Sequence, residues 1–267
     1  MNPVVAEPAA LPLGCFRRLI DLSSRDEQTV VGWVEDEVHH FGVTLVHNGE
    51  RVIDAAMAAV RFPYTTCGGS GLPFRRLIGT PLQARSTDIG RYVDMRLQCT
   101  HLYDLAALLV SLATSKQAHR RFEATVSDRA FLGLSPTGRR VMGPGRAQLC
   151  ADGVESLAWE IDGDTIAAPA AWAGCSLMEG FRARCEAFPP EQADQAFILR
   201  RAISVANGRT AKRYALPRDR GWPAVCHTFQ PHVRDYAERI EGLRRNFAQS
   251  NEGMLAFVDQ TPASEPT

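Results

Sequence analysis

Hydrophobic positions in the first quarter of the chain alternate with polar ones at a period of two. Thr29–Val34 is β-branched around Trp33, His39–His47 alternates, and Arg51–Phe62 carries Val52, Ile53, Val60 and Phe62 beyond an Asn48-Gly49 pair. Asn-Gly between apolar runs is a strong hairpin signal, because both residues tolerate positive φ. An antiparallel meander over Phe16–Tyr64 follows. Pro63 ends it, and Leu72–Ile78 reads as a short helix closed by Gly79, with Pro81 beyond. Val93, Met95 and Leu97 alternate with Asp94, Arg96 and Gln98 and predict a strand, with a helix capped near Ser86–Asp88 as the alternative.

The period then changes. Leu102, Leu105, Ala106, Leu109 and Leu112 recur at helical spacing, while Leu108 and Val110 make the remaining faces apolar. The segment from His101 to about Ser115 therefore predicts a helix buried nearly all round, with Thr100 as N-cap. A second β-rich stretch covers 122–126, 147–150, 157–161 and 165–167, with turns at Asp152-Gly153 and Asp162-Gly163. Glu191–Val205, ending at Asn207-Gly208, and Val233–Phe247 predict two amphipathic helices. The fold class is α+β: antiparallel β-meanders packed with a buried central helix and C-terminal helices. With no linker or repeat, 15–258 reads as a single domain, between a flexible N-terminus (1–14) and a disordered tail (259–267).

Composition narrows the function. The 267 residues suffice for a conventional core. Thirty basic residues balance thirty acidic ones, so the basic excess of a nucleic-acid or anionic-membrane binder is missing. Only Lys116 and Lys212 are lysines, and no phosphate-loop motif is present, which argues against phosphate-loop and Schiff-base chemistry. Seven scattered cysteines without a C-x-x-C pair, behind a start lacking a basic signal region, fit reduced thiols in a cytoplasm. The longest apolar run, Leu105–Leu112, is too short for a membrane span.

Glu35-Asp36-Glu37-Val38-His39-His40 is the densest titratable cluster. A solvated strand end would explain it; so would an acid–base or metal site. Along one continuous strand, His39, Phe41, Val43, Leu45 and His47 share a face, and eight steps of roughly 3.3 Å put His39 and His47 about 26 Å apart, too far for a common metal. His39, on the Phe41 face, is the better buried base. In Cys99-Thr100-His101-Leu102-Tyr103-Asp104, a cap at Thr100 would place His101 in the first helical turn and Asp104 one turn on. The positive end of the helix would favour a neutral imidazole, a thiolate or an anion there. Capping, dipole and core roles account for the same residues without chemistry. Cys67 opens a glycine-rich turn that would let a ligand approach, but G-x-S-x-G is incomplete because Leu72 stands at the last position. Cys67, Cys99 and His101 lack paired metal spacing. Pro231 between His227 and His232 argues against a metal pair, and Trp222-Pro223 could line an aromatic pocket.

The segment from Glu35-Asp36 through Arg61-Phe62-Pro63-Tyr64-Thr65-Thr66-Cys67, the Leu77-Ile78-Gly79 turn and Cys99-Thr100-His101-Leu102-Tyr103-Asp104-Leu105 together resemble a bacterial family known as domain of unknown function 2889, over roughly residues 15–210. The resemblance implies bacteria that degrade aromatic or lipophilic compounds. It transfers no catalytic residue, but adds weight to the two Cys/His segments forming one site.

Three functions remain in view. The first is a cytoplasmic lyase- or isomerase-type enzyme without cofactor or metal, acting on a small aromatic or lipophilic molecule. There His39 is the base, His101 a proton donor or anion stabiliser oriented by Asp104, and Arg61 a carboxylate or phenolate anchor. Glu35 and Asp36 orient the histidines, and Tyr64, Cys67, Cys99 and Tyr103 line the substrate. The second is a metal-dependent hydrolase or metal-binding domain with His and Cys ligands, and the third a non-enzymatic binding or assembly protein. A homo-oligomer is compatible with each. The acid–base reading requires His39 and His101 to meet across roughly sixty intervening positions.

Overall fold

The computed structural model describes residues 14–115, 117–136, 139–210 and 224–263. Both lysines, Trp222-Pro223 and most of the expected flexible N-terminus lie outside them. Four long strands, β1 (Cys15–Ser24), β2 (Thr29–Asp36), β3 (His40–His47) and β4 (Val52–Arg61), form the expected meander. At the β3–β4 turn Gly49 takes a φ of 88°, and the Asn48 side chain accepts from the N–H groups of Glu50 and Arg51.

Short 3₁₀ turns over Thr65–Ser70 and Arg75–Leu77 flank a single helical turn, α1 (Gly71–Phe74). The expected strand at 93–97 is instead irregular, with 3₁₀ turns at Ser86–Arg91 and Met95–Leu97. The segment packs over a helix rather than along a sheet edge, and the Asp94 carboxylate holds the second turn by accepting from the Arg96 N–H.

The central helix, α2, spans Thr100–Thr114; Cys99, not Thr100, occupies the N-cap and supplies no side-chain bond. Strands β5 (His119–Ser127), β6 (Phe131–Leu134), β7 (Arg140–Met142), β8 (Gly145–Ala151), β9 (Val154–Asp162) and β10 (Thr165–Ala168) follow, with β6 and β7 forming a separate ribbon. Antiparallel pairing of β1 with β5 joins both meanders into one eight-stranded sheet, ordered β10-β9-β8-β5-β1-β2-β3-β4. The fold is thus α+β.

After α3 (Phe181–Glu186) comes α4 (Pro190–Thr210), which runs beyond Asn207-Gly208 because Arg209, in its last turn, is held by Asp128 and Glu37. The amphipathic helix expected over 233–247 does not form: α5 (Pro231–Arg234) is one turn. Backbone groups of the chain beyond it bond the turns at the end of the sheet instead, with Thr65 N–H to Glu238 O, Ile240 N–H to Pro63 O and Arg245 N–H to Glu37 O. Tertiary partners replace the intrahelical ones.

Helices α2 and α4 cover one face of the sheet, burying Ile20, Leu22, Val34, Phe41, Val43 and Leu45. The reverse face of β1–β3 buries Leu19, Val31 and Trp33 under Phe247, Met254 and Leu255 from the C-terminal segment. That segment stays seated through Pro262: the Trp33 indole donates to Gln260 O and the Thr44 hydroxyl to Pro262 O. Residues 259–263 of the expected disordered tail are therefore bound. Two glycines allow these layers to approach, since a Cβ at Gly32 would meet Leu105 at 2.9 Å and one at Gly42 would meet Trp33 and Pro262 at 2.7 Å. Among the described residues, no helix is long and apolar enough to cross a membrane.

Candidate active site

The β2–β3 turn supplies the first half of the site. Asp36 is fully buried and faces Arg18 across the β1–β2 ladder; Arg18 Nη1 donates to Asp36 Oδ2 at 2.8 Å. Asp36 Oδ1 accepts from the N–H groups of Val38 and His39, each at 2.9 Å, and lies 3.0 Å from His39 Nδ1. Burial alone would raise this carboxyl, but His39, Arg18 and the backbone N–H of Val38 outweigh it and hold it down at about 2. His39 is thereby oriented by an anion that keeps its charge.

The start of α2 supplies the second half. The His101 ring stacks on His39 with centroids 3.8 Å apart and an interplanar angle of 25°, and Phe41 extends the stack at 6.0–6.2 Å. Histidines roughly sixty positions apart therefore touch. Among the described residues, the buried His101 Nε2 has no hydrogen-bond partner, and Cys99 Sγ lies 4.0 Å from its Nδ1. Burial first, then the positive surroundings of His39, Arg18 and Arg201, push His101 well below its ordinary value, so the ring is neutral at physiological pH.

The imidazole pair separates two hollows. His101 lines a cavity of about 700 Å³ bounded by α2, α4, the 86–96 turns and β1–β2, and His39 lines a smaller one of about 270 Å³ beside the 239–244 segment.

Several expected roles move. Asp104 does not orient His101: its carboxylate pairs with Arg201 of α4, through Nε at 2.5 Å and Nη2 at 3.3 Å. One helical turn sets the two residues side by side along the axis, but helix packing aims them at different neighbours. Arg61 is not a substrate anchor, since it is buried against Glu35 (2.9 Å) and the Asp36 carbonyl, beneath Phe247 on the reverse face. Glu35 orients neither active-site ring; it pairs with Arg61, sits 3.5 Å from His40 Nδ1 and accepts from the Leu255 N–H. His40 stands on that reverse face, against Trp33 and Phe257.

Tyr103 lines the larger cavity and Tyr64 the smaller, whereas Cys67 and Cys99 belong to the lining of neither. Cys67 Sγ contacts the Thr228 hydroxyl at 3.3 Å. A thiolate at the helix start is not supported: burial pushes Cys99 up to about 12 and Cys67 to about 11. Arg18 and Arg201 went unrecognised as site residues. Alternation put Arg18 on the buried face of a strand, an unusual place for a charge and the one available sequence signal; nothing local pointed to Arg201.

For a cation, Asp36, His39 and His101 each offer one donor atom, all within 4.8 Å of one another. No cysteine belongs to that group. Both Asp36 oxygens are already engaged by Arg18 and by the turn, and the nearby guanidinium disfavours added positive charge.

Fold and site together define an α+β protein whose eight-stranded antiparallel sheet brings an Asp–His pair against a neutral histidine at a helix start. Residues 18–115 match the model of the family described as protein of unknown function (DUF2889), which places this segment, β1 to the end of α2, in that family. The match stops well short of residue 210, yet includes Arg18, Asp36, His39 and His101 and leaves out Arg201. No curated protein matches the chain.

Proposed function

We propose that the protein is an acid–base enzyme of lyase or isomerase type, working without a cofactor on a small aromatic or lipophilic molecule. The observation that carries this reading is the contact between two histidines in unlike surroundings. His39 is backed by a carboxylate held as an anion, and His101 is neutral with an unpartnered Nε2.

His39 is the base. A proton arriving on it creates an imidazolium beside the Asp36 carboxylate, which stabilises that charge and, through Nδ1, fixes the ring. His101 serves as a neutral hydrogen-bond donor to an oxygen that gains negative charge, an enolate-like intermediate for example, with Arg18 supplying positive potential behind it. Arg61 and Glu35 take no part.

The test is solvent-proton exchange: aromatic and lipophilic carbon acids are incubated with the protein in deuterated water and deuterium incorporation is read by mass spectrometry. Single replacements His39→Ala and His101→Ala are expected to slow exchange by about 100-fold or more. Full activity in both variants would remove the assignment.

The proximity of the three donor atoms favours a second reading, a metal-dependent hydrolase or metal-binding domain centred on Asp36, His39 and His101. Elemental analysis decides between them. Stoichiometric zinc or iron, lost in His101→Ala, would replace the acid–base account.

A further inference from the structure

The two ends of the larger cavity differ in chemistry. Helices α2 and α4 run antiparallel along it, because Arg201 meets Asp104 near the start of α2 while Asp194 meets Ser111 near its end. Seven residues of α4 separate Asp194 from Arg201, about 10 Å at 1.5 Å per residue.

At the His101 end, Arg18, Arg200 and Arg201 face the carboxylates of Asp36 and Asp104, and Arg96 offsets Asp94 on the facing turn. One positive charge is left over in a partly enclosed wall, where it is screened less than on an open surface. Arg200 Nε bonds the Leu177 carbonyl, so its charge has no carboxylate across that bond. At the far end, Asp194 is clasped by the Ser86 hydroxyl at 2.6 Å and the Ser111 hydroxyl at 3.3 Å. Between the ends the wall is apolar, with Val93, Leu105, Leu108, Phe197 and Ile198.

We infer that this cavity takes an amphipathic carboxylate, its anion beside His101 in the field of Arg18, Arg200 and Arg201, whose charges outnumber the two carboxylates by one, and an apolar body of about 10 Å lying between α2 and α4. The inference deepens the acid–base reading and rests on it for the ligand being a substrate. Such a headgroup lies on the His101 side of the stacked pair, while His39 faces the smaller hollow, so a change at His39 leaves the walls of the larger cavity in place.

Calorimetric titration of the full-length protein tests it, with octanoate, its uncharged isostere octanamide, and butyrate as probes. Octanoate is expected to bind about tenfold more tightly than either, and to weaken as salt is added. Ala107→Trp, which fills the cavity, and Arg201→Met should each cost octanoate about tenfold in affinity, with folding verified by circular dichroism. Arg200→Met substitutes should Arg201→Met fail to fold. Equal affinity for octanoate and octanamide, no detectable binding of octanoate, or unchanged octanoate affinity in folded Ala107→Trp would overturn the inference. His39→Ala separates this outcome from the reaction. Charge-selective binding that survives in that variant, with no exchange activity in the wild type, leaves the ligand class standing and removes the catalytic reading. Exchange on a neutral compound without octanoate binding does the reverse.

Discussion

Replacing Asp36 by Asn keeps the shape of the side chain and removes the charge on which Arg18 and His39 converge. Arg18 is 2% exposed, so its guanidinium would be left in the interior without its anion. Breaking a buried pair by removing one partner costs about 3–5 kcal/mol. Part of that cost must depend on pH. The carboxyl falls from 3.8 to about 2 on folding, and at 1.36 kcal/mol per unit this corresponds to about 2 kcal/mol. The folded-state value is the lower one. The stability is therefore fully present above the unfolded value and is lost as pH falls through the folded value, with about half remaining near pH 3. Urea unfolding of wild type and Asp36→Asn at neutral pH and near pH 3 measures the difference directly. The gap between the curves should narrow by about 1 kcal/mol on acidification. A gap below about 0.5 kcal/mol at neutral pH, or one independent of pH, would refute the picture of Asp36 as the buried anion of the site.

Asp194 should behave in the opposite sense, because burial raises its carboxyl to about 6 despite the Ser86 and Ser111 hydroxyls. A raised acid favours folding below its unfolded value and loses that contribution as pH rises through the folded value, so Asp194→Asn is expected to stabilise at pH 7.5 by up to about 3 kcal/mol, a gain that fades toward pH 4 in denaturant titrations. Gly42→Ala drives a Cβ to 2.7 Å from the Trp33 ring and Pro262; thermal melts should show a loss of about 1–3 kcal/mol, and limited proteolysis should find the segment after Phe257 more readily cut. Arg61→Met strands the buried Glu35 carboxylate, and chemical denaturation should register a cost of about 3–5 kcal/mol while the folded fraction retains exchange activity at the wild-type rate; a selective loss of activity would restore Arg61 as an anchor.

What the sequence by itself determined was local. The β3–β4 hairpin follows from Asn48-Gly49, and the extent of α2 from an apolar pattern that spans all faces of a helix. Strand alternation separated His39 from His40 correctly, because successive side chains point to opposite faces whatever the strand packs against: His39 meets Phe41 and His101, and His40 meets Trp33. The family blocks held the residues of the imidazole pair and its carboxylate. The chain between 93 and 97 misled, since alternation over five residues also fits irregular turns packed on a helix. The stretch over 233–247 misled because helical spacing does not reveal competing partners for the backbone, here the sheet end and Glu37.

Only the tertiary structure decided which charges meet. Arg61 and Asp104 each stood near a histidine in sequence, but Arg61 turned to Glu35 beneath the C-terminal segment and Asp104 to Arg201. The pairing of β1 with β5 closed the separation between two meanders and placed Arg18, from one, beneath α4, which packs on the other. A buried ion pair is settled by the geometry of elements distant along the chain, because a charge leaving water must find its partner within a few ångströms whatever their separation in sequence. Periodicity records which face of each element is apolar, and it carries no record of what that face will cover.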